Sequence, residues 1–418
     1  MQIFILVLRI IQGSIMAAAF VLIGFQVIIA LWGIKKPGKI ILKESKQYRF
    51  GIVISARNEQ EVISNLIKSL DQQDYPRELF DIIIIADNCT DDTAQVARDS
   101  GALVFERFDK KRIGKGYALN WMFDILLSEY PEKYDAICIF DADNVVSTQF
   151  LTMMNQRIAD GCEIVQGYRD VKNPYASAIS GHYTIYWYTF NRLLHLPRVR
   201  IGLSSMLNGT GFVFKTDVIR EKGWQAMSES EDAEFSLQNI AEGRKIDFEY
   251  NAVFYDEQPT SFLQSLSQRH RWAVGNYHCI SSTGGDLVRG IFRGKRLLNI
   301  LDAIVFLLLP PIVGLTGLSM IIDLIIPLIQ PNWGLSNLLS LLLVYSVGMF
   351  VMILTAIIVL LLEKKLNKKM WKAILTIPLF LFSFSFVAFF ALIYRPRNSW
   401  KPIKHTQSIS LEELERRK

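Results

Sequence analysis

The sequence predicts an α/β domain built on a mostly parallel sheet and inserted between transmembrane helices, with amphipathic helices at the membrane interface. Three observations carry this. Short apolar runs of strand type alternate with helical periodicity between residues 51 and 140, the pattern of a parallel sheet covered on both faces. Four long runs without a charge lie outside that stretch. The chain of 418 residues is 50% hydrophobic, too apolar for a wholly soluble protein, while its 21% charged residues crowd the first two thirds.

The first uncharged run, residues 10–34, covers the ~30 Å hydrocarbon core that about 20 helical residues span. It is too long for a signal peptide and lacks a small-residue cleavage pattern, so it reads as an anchor. Lys35, Lys36, Lys39 and Lys43 follow and place the next domain in the cytoplasm. Residues 51–55 read as a strand, then an amphipathic helix puts Val62, Ile63, Leu66, Ile67 and Leu70 on one face. Strands at 81–86, 102–105 and 136–140 alternate with helices at 93–100 and 116–130. Farther on, a helix runs from Ser230 to about Glu242 and another starts near Thr260. Residues 287–299, with Arg289, Arg293, Lys295 and Arg296, read as a basic amphipathic helix on the inner leaflet.

Three further spans follow, at 303–322 (extending toward Gln330 and interrupted by Pro310 and Pro311), 335–362 and 373–394. Basic clusters flank the last one: Lys364, Lys365, Lys368 and Lys369 before it, Arg395, Arg397, Lys401 and Lys404 after it. Both ask for the cytoplasm, and one crossing cannot satisfy both. Either the last run is re-entrant, or the proline-broken run is not a simple crossing, or one cluster sits outside; a cytoplasmic tail is preferred. The expected organisation is an anchor at 1–43, a cytosolic domain at 44–285, an interfacial helix at 286–299, a membrane region at 300–394 and a basic tail at 395–418. That is a multi-pass protein of the plasma membrane.

A net charge of +6, gathered beside the apolar runs, fits a lipid bilayer as partner, and no basic groove with interleaved aromatics argues for nucleic acid. Cys89, Cys138, Cys162 and Cys279 show no CxxC spacing and read as reduced thiols. His182, His195 and His278 read as structural. Tyr183, Tyr186, Trp187, Tyr188 and Phe190 read as interfacial packing, with stacking on an acceptor as the sharper alternative.

In a parallel sheet, ligands bind beyond the carboxyl ends of the strands. Here those positions are Arg57, Asn58 and Glu59, then Asp87 and Asn88, then Asp141, Ala142 and Asp143. A lone aspartate after a strand is often only a helix cap. Two carboxylates one residue apart repel unless a cation sits between them, and hard ions such as Mg²⁺ bind carboxylates together with substrate phosphates. Ser230-Glu231-Asp232 opens a helix, where acidic residues favour the dipole or serve as a general base. Gln268-Arg269-His270-Arg271-Trp272 lies on the helix after it.

The order DxD, an acidic triplet ending in ED, then QxxRW resembles the signature of processive family-2 glycosyltransferases, the membrane enzymes that include cellulose, hyaluronan, chitin and poly-N-acetylglucosamine synthases. The resemblance spans about residues 45–300, and Ser230 stands where the family usually has Thr. Gly114-Lys115-Gly116-Tyr117-Ala118-Leu119-Asn120 is similar to the family's lysine-bearing segment, and Asn208-Gly209-Thr210-Gly211 to its acceptor-side turn. The resemblance implies a GT-A-type nucleotide-sugar domain with Arg57, Glu59 and Asp87 on the uridine. Lys115, Asp141, Gln268 and Arg271 serve the donor diphosphate, and Mg²⁺ or Mn²⁺ sits on Asp143 with Asp141. It further implies Gly209, Thr210 and Trp272 beside the acceptor and Asp232 as general base next to Glu231. A UDP-sugar is then polymerised with inversion onto a growing polysaccharide and passed outward; glucose into β-glucan is the first expectation and N-acetylglucosamine the second. An accessory export subunit is left open. Two rivals remain: transfer of one sugar to a lipid carrier, and a transporter with a regulatory nucleotide domain.

Overall fold

The computed structural model describes residues 2–35, 38, 42–330, 333–394 and 408–416. Lys36, Lys39, Arg395, Arg397, Lys401 and Lys404, which entered the topology reading, lie outside these. Helix α1 (Gln2–Ala30) is mostly apolar, and its Arg9, Gln12 and Gln26 meet Gln330, Asp323 and Arg198. The α/β domain then begins with β1 (Phe50–Ala56), α2 (Ile63–Asp71), β2 (Phe80–Asp87), α3 (Thr93–Asp99), β3 (Leu103–Arg107), α4 (Lys115–Glu129) and β4 (Ala136–Asp141). It continues with β5 (Val145–Val146), α5 (Phe150–Ala159), β6 (Ile164–Val171), α6 (Ala178–Thr189), α7 (Leu196–Arg200), β7 (Phe212–Lys215), α8 (Asp217–Arg220), α9 (Glu231–Ala241) and β8 (Ile246–Asp256). Helix α10 (Phe262–Phe292) leads to α11 (Leu297–Ile329), α12 (Leu335–Leu362), α13 (Trp371–Ile393) and a short α14 (Leu411–Glu415).

One eight-stranded sheet takes the order β3-β2-β1-β4-β7-β6-β8-β5. The first four strands are parallel, Ile52 opposite Ile82 and Cys138. Strand β7 runs antiparallel between β4 and β6, β6 and β8 are parallel again, and β5 pairs antiparallel with β8, so the sheet is mixed. The period of two along each strand separates two cores. Val53, Ile83, Ile85 and Ile139 pack under α4 and α9, and Ile52, Ile54, Ile82 and Ile84 pack under α2 and α5.

Among the described residues four helices, Gln2–Gly33, Leu297–Ile329, Leu335–Leu362 and Lys368–Ile393, are long and apolar enough to cross a bilayer, in line with the four runs read from sequence. Two local expectations change. The basic stretch 287–299 is not a separate interfacial helix: α10 continues to Phe292, Gly294 takes φ +65°, and α11 starts at Leu297. A left-handed glycine ends one helix and turns the chain into the next, so these basic residues mark a helical hairpin. Nor do Pro310 and Pro311 break α11. A neighbouring helix packs closely against it there: Gly314 and Gly317 bring it against the backbone of α13 at Ala388 and Ser385, within 3.0 Å of where their Cβ atoms would be.

Buried polar ties fix the helices to the domain. Arg198 Nε donates to Asp302 at 2.8 Å, and its Nη2 reaches Gln26 at 2.5 Å, joining α7, α11 and α1. Tyr168 and Tyr250 both donate to Glu363, and Lys365 donates to Asp170 at 3.0 Å, joining the end of α12 to β6 and β8. Ile409, Leu411 and Leu414 pack on Val145 and Tyr255 at the edge of the sheet.

Candidate active site

Strand ends build the site. β1 delivers Arg57 and Glu59, β2 delivers Asp87, β4 delivers Asp141 and Asp143, and β8 delivers Asp256, all lining one cavity of about 1910 Å³. Asn58 and Asn88 hold left-handed backbone at φ 59° and 53°, which asparagine tolerates better than most residues, and so turn β1 and β2 sharply at the cavity floor. Asp87 accepts from Arg107 Nη1 at 2.6 Å and from Asn88 Nδ2 at 2.9 Å. Burial pushes the Asp87 carboxyl up, and the Arg107 guanidinium opposes that shift. Arg107 is itself buried and donates a second bond to the Arg112 carbonyl at 2.8 Å, tying this corner to the loop before α4.

Lys115 opens α4 behind Gly114, whose φ of +136° glycine adopts freely. Its Nζ donates to Asp141 and, at 2.5 Å, to the Gly209 carbonyl, and lies 3.6 Å from Glu231 Oε1. One ammonium therefore joins β4, the turn 208–211 and α9. Burial opposes its charge, but Asp141, Glu231 and Asp232 hold its pKa above the ordinary lysine value. Burial likewise pushes Glu231 up to about 7, Lys115 opposing and Asp232 adding to the shift. Asp232 is raised by burial as well, and its Oδ2 stands 3.5 Å from where a Gly209 Cβ would be.

The acidic corner is crowded. Asn144 Nδ2 donates to Asp143 at 3.2 Å and to Asp256 at 3.1 Å. Burial drives Asp256 up to about 7, with Asp143 and Asp141 reinforcing the shift against Arg169, whose Nη2 lies 3.2 Å from Asp256. Asp141, Asp143, Asp256 and Glu231 outnumber Lys115, Arg169 and the buried Lys172 beside them, an excess of negative charge that suits a divalent cation bound through two carboxylates and substrate phosphates. Among the described residues no group of three or more His, Cys, Asp or Glu side chains is arranged to hold a metal ion by itself.

Of the residues singled out from sequence, Arg57, Glu59, Asp87, Lys115, Asp141, Asp143, Gly209, Glu231, Asp232, Gln268, Arg271 and Trp272 all line this cavity. Thr210 does not. It is fully buried; its Oγ1 accepts from Asp141 N at 2.9 Å and donates to Asn144, so it props the DxD turn instead of facing an acceptor. Trp272 lines the cavity but is packed on three rings, stacked on Tyr186 at 6.1 Å and edge-on to Tyr183 and Trp187 at 5.9 and 5.8 Å. Of the aromatic run, Tyr183 and Tyr188 are buried against α12, α13 and β6, while Tyr186, Trp187 and Phe190 line the cavity. His182, at 2.8 Å from Thr376, and His195, between Ser205 and Asn208, are held neutral by burial, down to about 4 and about 3. His278 pairs with Glu229 at 2.5 Å.

Sequence reasoning missed Arg107, Arg169, Asp256 and Gln258. Asp256-Glu257-Gln258 follow a strand, and inspecting strand ends beyond residue 140 finds them. Arg169, buried within β6 over the Trp187 ring at 4.0 Å, has no local signal.

Beyond the carboxylates the same cavity continues between α1, α11, α12 and α13, where Phe20, Ile23, Val27, Leu309, Val313, Val344, Phe382 and Phe384 line it. Polar side chains line it as well: Arg9, Gln12, Thr316, Ser319, Asp323, Asn337, Ser340, Tyr345 and Ser385. Asp323, in α11, accepts from Gln12 at 2.6 Å and from Tyr345 at 2.9 Å.

Residues 48–275 match the family described as glycosyltransferase like family 2. A probable glycosyltransferase, YdaM, of Bacillus subtilis is 26% identical over 271 residues, 62% of this chain and 61% of that protein. A beta-monoglucosyldiacylglycerol synthase of Nostoc is 27% identical over 238 residues, 54% of this chain and 48% of that one. The chain therefore aligns with about half to three fifths of these relatives' length. The fold is that of a mannosyltransferase from Pyrobaculum calidifontis solved with GDP-Man and Mn²⁺, at a TM-score of 0.61 and 17% identity over 87% of this chain and 99% of that one.

Proposed function

The chain belongs to glycosyltransferase family 2, and from that premise we propose that it transfers a single hexose, with inversion, from a UDP-sugar to the hydroxyl of a membrane lipid. The observation that carries this reading is the lining of the cavity between the four apolar helices, where phenylalanine, isoleucine, leucine and valine outnumber the polar side chains, a surface that matches acyl or isoprenoid chains better than a hydrated polysaccharide. The Nostoc relative, a beta-monoglucosyldiacylglycerol synthase, supports the same acceptor class. The QxxRW resemblance favours the processive reading, in which Trp272 stacks on a sugar; its packing on Tyr186, Tyr183 and Trp187 gives the indole a sufficient structural role.

In this reading Asp232 takes the proton of the lipid hydroxyl, and that oxygen attacks the anomeric carbon from the face opposite the diphosphate. The bond from carbon to the diphosphate oxygen breaks, UDP leaves, and an α-linked donor gives a β-linked product. Asp141 and Asp143 would hold Mg²⁺ or Mn²⁺, which supplies positive charge for the departing diphosphate. Arg271 and Gln268 orient the same group, Arg57, Glu59 and Asp87 hold the uridine, and Lys115 keeps Glu231 and Asp141 compensated in the absence of substrate.

The test is product analysis. Purified protein in lipid nanodiscs, given radiolabelled UDP-glucose, UDP-galactose and UDP-N-acetylglucosamine in turn, should yield label that extracts into organic solvent and carries one sugar per lipid. A water-soluble, glycosidase-sensitive polymer would overturn the proposal in favour of processive synthesis.

A further inference from the structure

Helix α13 is apolar enough to cross the bilayer, but both of its flanks are tied to one patch of the catalytic domain. Before it, Lys365 donates to Asp170 at 3.0 Å, and Glu363 takes hydrogen bonds from Tyr168 and Tyr250. After it, Ile409, Leu411 and Leu414 pack on Val145 and Tyr255, and Asn65 donates to Ser408 at 2.8 Å. Asp170 and Tyr255 face each other in the β6–β8 register. The chain leaves this patch before α13 and returns to it afterwards.

Between Tyr394 and Ser408 the sequence holds Arg395, Arg397, Lys401, Lys404 and His405. A segment of 13 residues as a helix covers only about 20 Å, short of the hydrocarbon core, and in any other conformation it carries unpaired backbone groups and four basic side chains into lipid. We therefore propose that α13 enters and leaves on the catalytic side, that the chain crosses three times through α1, α11 and α12, and that α13 is seated in the leaflet facing the catalytic domain.

The packing of α13 agrees. One face follows the domain's own helices: Thr376 meets His182, Phe380 meets Tyr183 and Arg269, and Tyr277 donates to Ala388 at 2.9 Å. The opposite stripe, Trp371, Leu375, Leu379, Phe390 and Ile393, is exposed, and acyl chains of that leaflet are its partner. Both basic clusters then lie on one side, which removes the conflict with the positive-inside rule. On the lipid-acceptor reading, Phe382 and Phe384 become a channel wall within the same leaflet, so the acceptor enters from there.

The topology test is independent of activity, so its failure and that of the acceptor reading are distinguishable. Reporter fusions in a bacterial host, with green fluorescent protein and alkaline phosphatase placed in turn after Gly334, after Asn367 and at the C-terminus, should give phosphatase activity only at the first and fluorescence at the other two. Phosphatase activity at the C-terminus overturns the proposal. Spin labels on Leu375→Cys and Ile393→Cys, both exposed positions, add depth: seated in one leaflet, both report the catalytic half of the bilayer. A crossing helix separates 18 residues by about 27 Å and places Ile393 near the opposite headgroups, which would equally overturn it.

Discussion

Asp232→Asn removes a base and keeps its shape. The side chain stands at the start of α9, against the Gly209 turn, while the proposed uridine contacts Arg57, Glu59 and Asp87 come from the ends of β1 and β2 and should stay intact. General bases contribute 10²- to 10⁴-fold, about 2.7 to 5.5 kcal/mol of barrier. The variant should therefore lose 10²- to 10⁴-fold in kcat, with UDP-sugar affinity within about threefold of wild type. Glu231→Gln provides the contrast, because Glu231 sits beside Lys115 and carries no proton from the acceptor in this scheme; it should lose tenfold or less in kcat. The assay is UDP release with a saturating lipid acceptor in nanodiscs, paired with calorimetric titration of UDP. If Asp232→Asn turns over within fivefold of wild type, or if Glu231→Gln is the more damaging change, the base is misassigned.

The pH profile follows from the same burial. The base must be ionised to accept a proton, and burial raises the Asp232 pKa, so activity is present above that raised value and is lost as pH falls through it; kcat/KM should decline on the acid side above the ordinary aspartate range, and a profile flat down to that range would refute this. Gly275→Ala puts a Cβ 2.1 Å from Ser230 Oγ and 2.9 Å from its backbone nitrogen, at the junction that sets Glu231 and Asp232; a loss of about 1–3 kcal/mol, seen as a lowered Tm in detergent, should accompany reduced turnover, and an unchanged Tm with full activity would contradict the packing. Arg107→Gln leaves Asp87 without its buried cation and should weaken UDP binding about tenfold or more with kcat little changed, whereas equal affinity by calorimetry would remove Asp87 from the base site. Chelation by EDTA should abolish transfer and weaken UDP binding, both restored by Mn²⁺; activity that survives chelation would separate Asp141 and Asp143 from any metal.

What the sequence determined by itself is what depends on local periodicity and on covalent order. The strands at 51–55, 81–86 and 136–140 were legible because a buried parallel strand reads as a continuous apolar run, and the four candidate spans because lipid demands about 20 uncharged residues. The DxD, the acidic triplet and Gln268 to Trp272 were legible because each is contiguous, and all three line one cavity. Tertiary structure alone decided where side chains distant in sequence meet. Thr210 turned inward because its hydroxyl is needed to satisfy the buried backbone of Asp141. Arg169 and Asp256 joined the site because β6 and β8 pair across a register that no local pattern encodes. The hairpin between α10 and α11, the continuity of α11 through Pro310 and Pro311, and the cavity walls between the four apolar helices likewise follow from packing between helices, which sequence periodicity specifies only as a choice of face and never as a choice of partner.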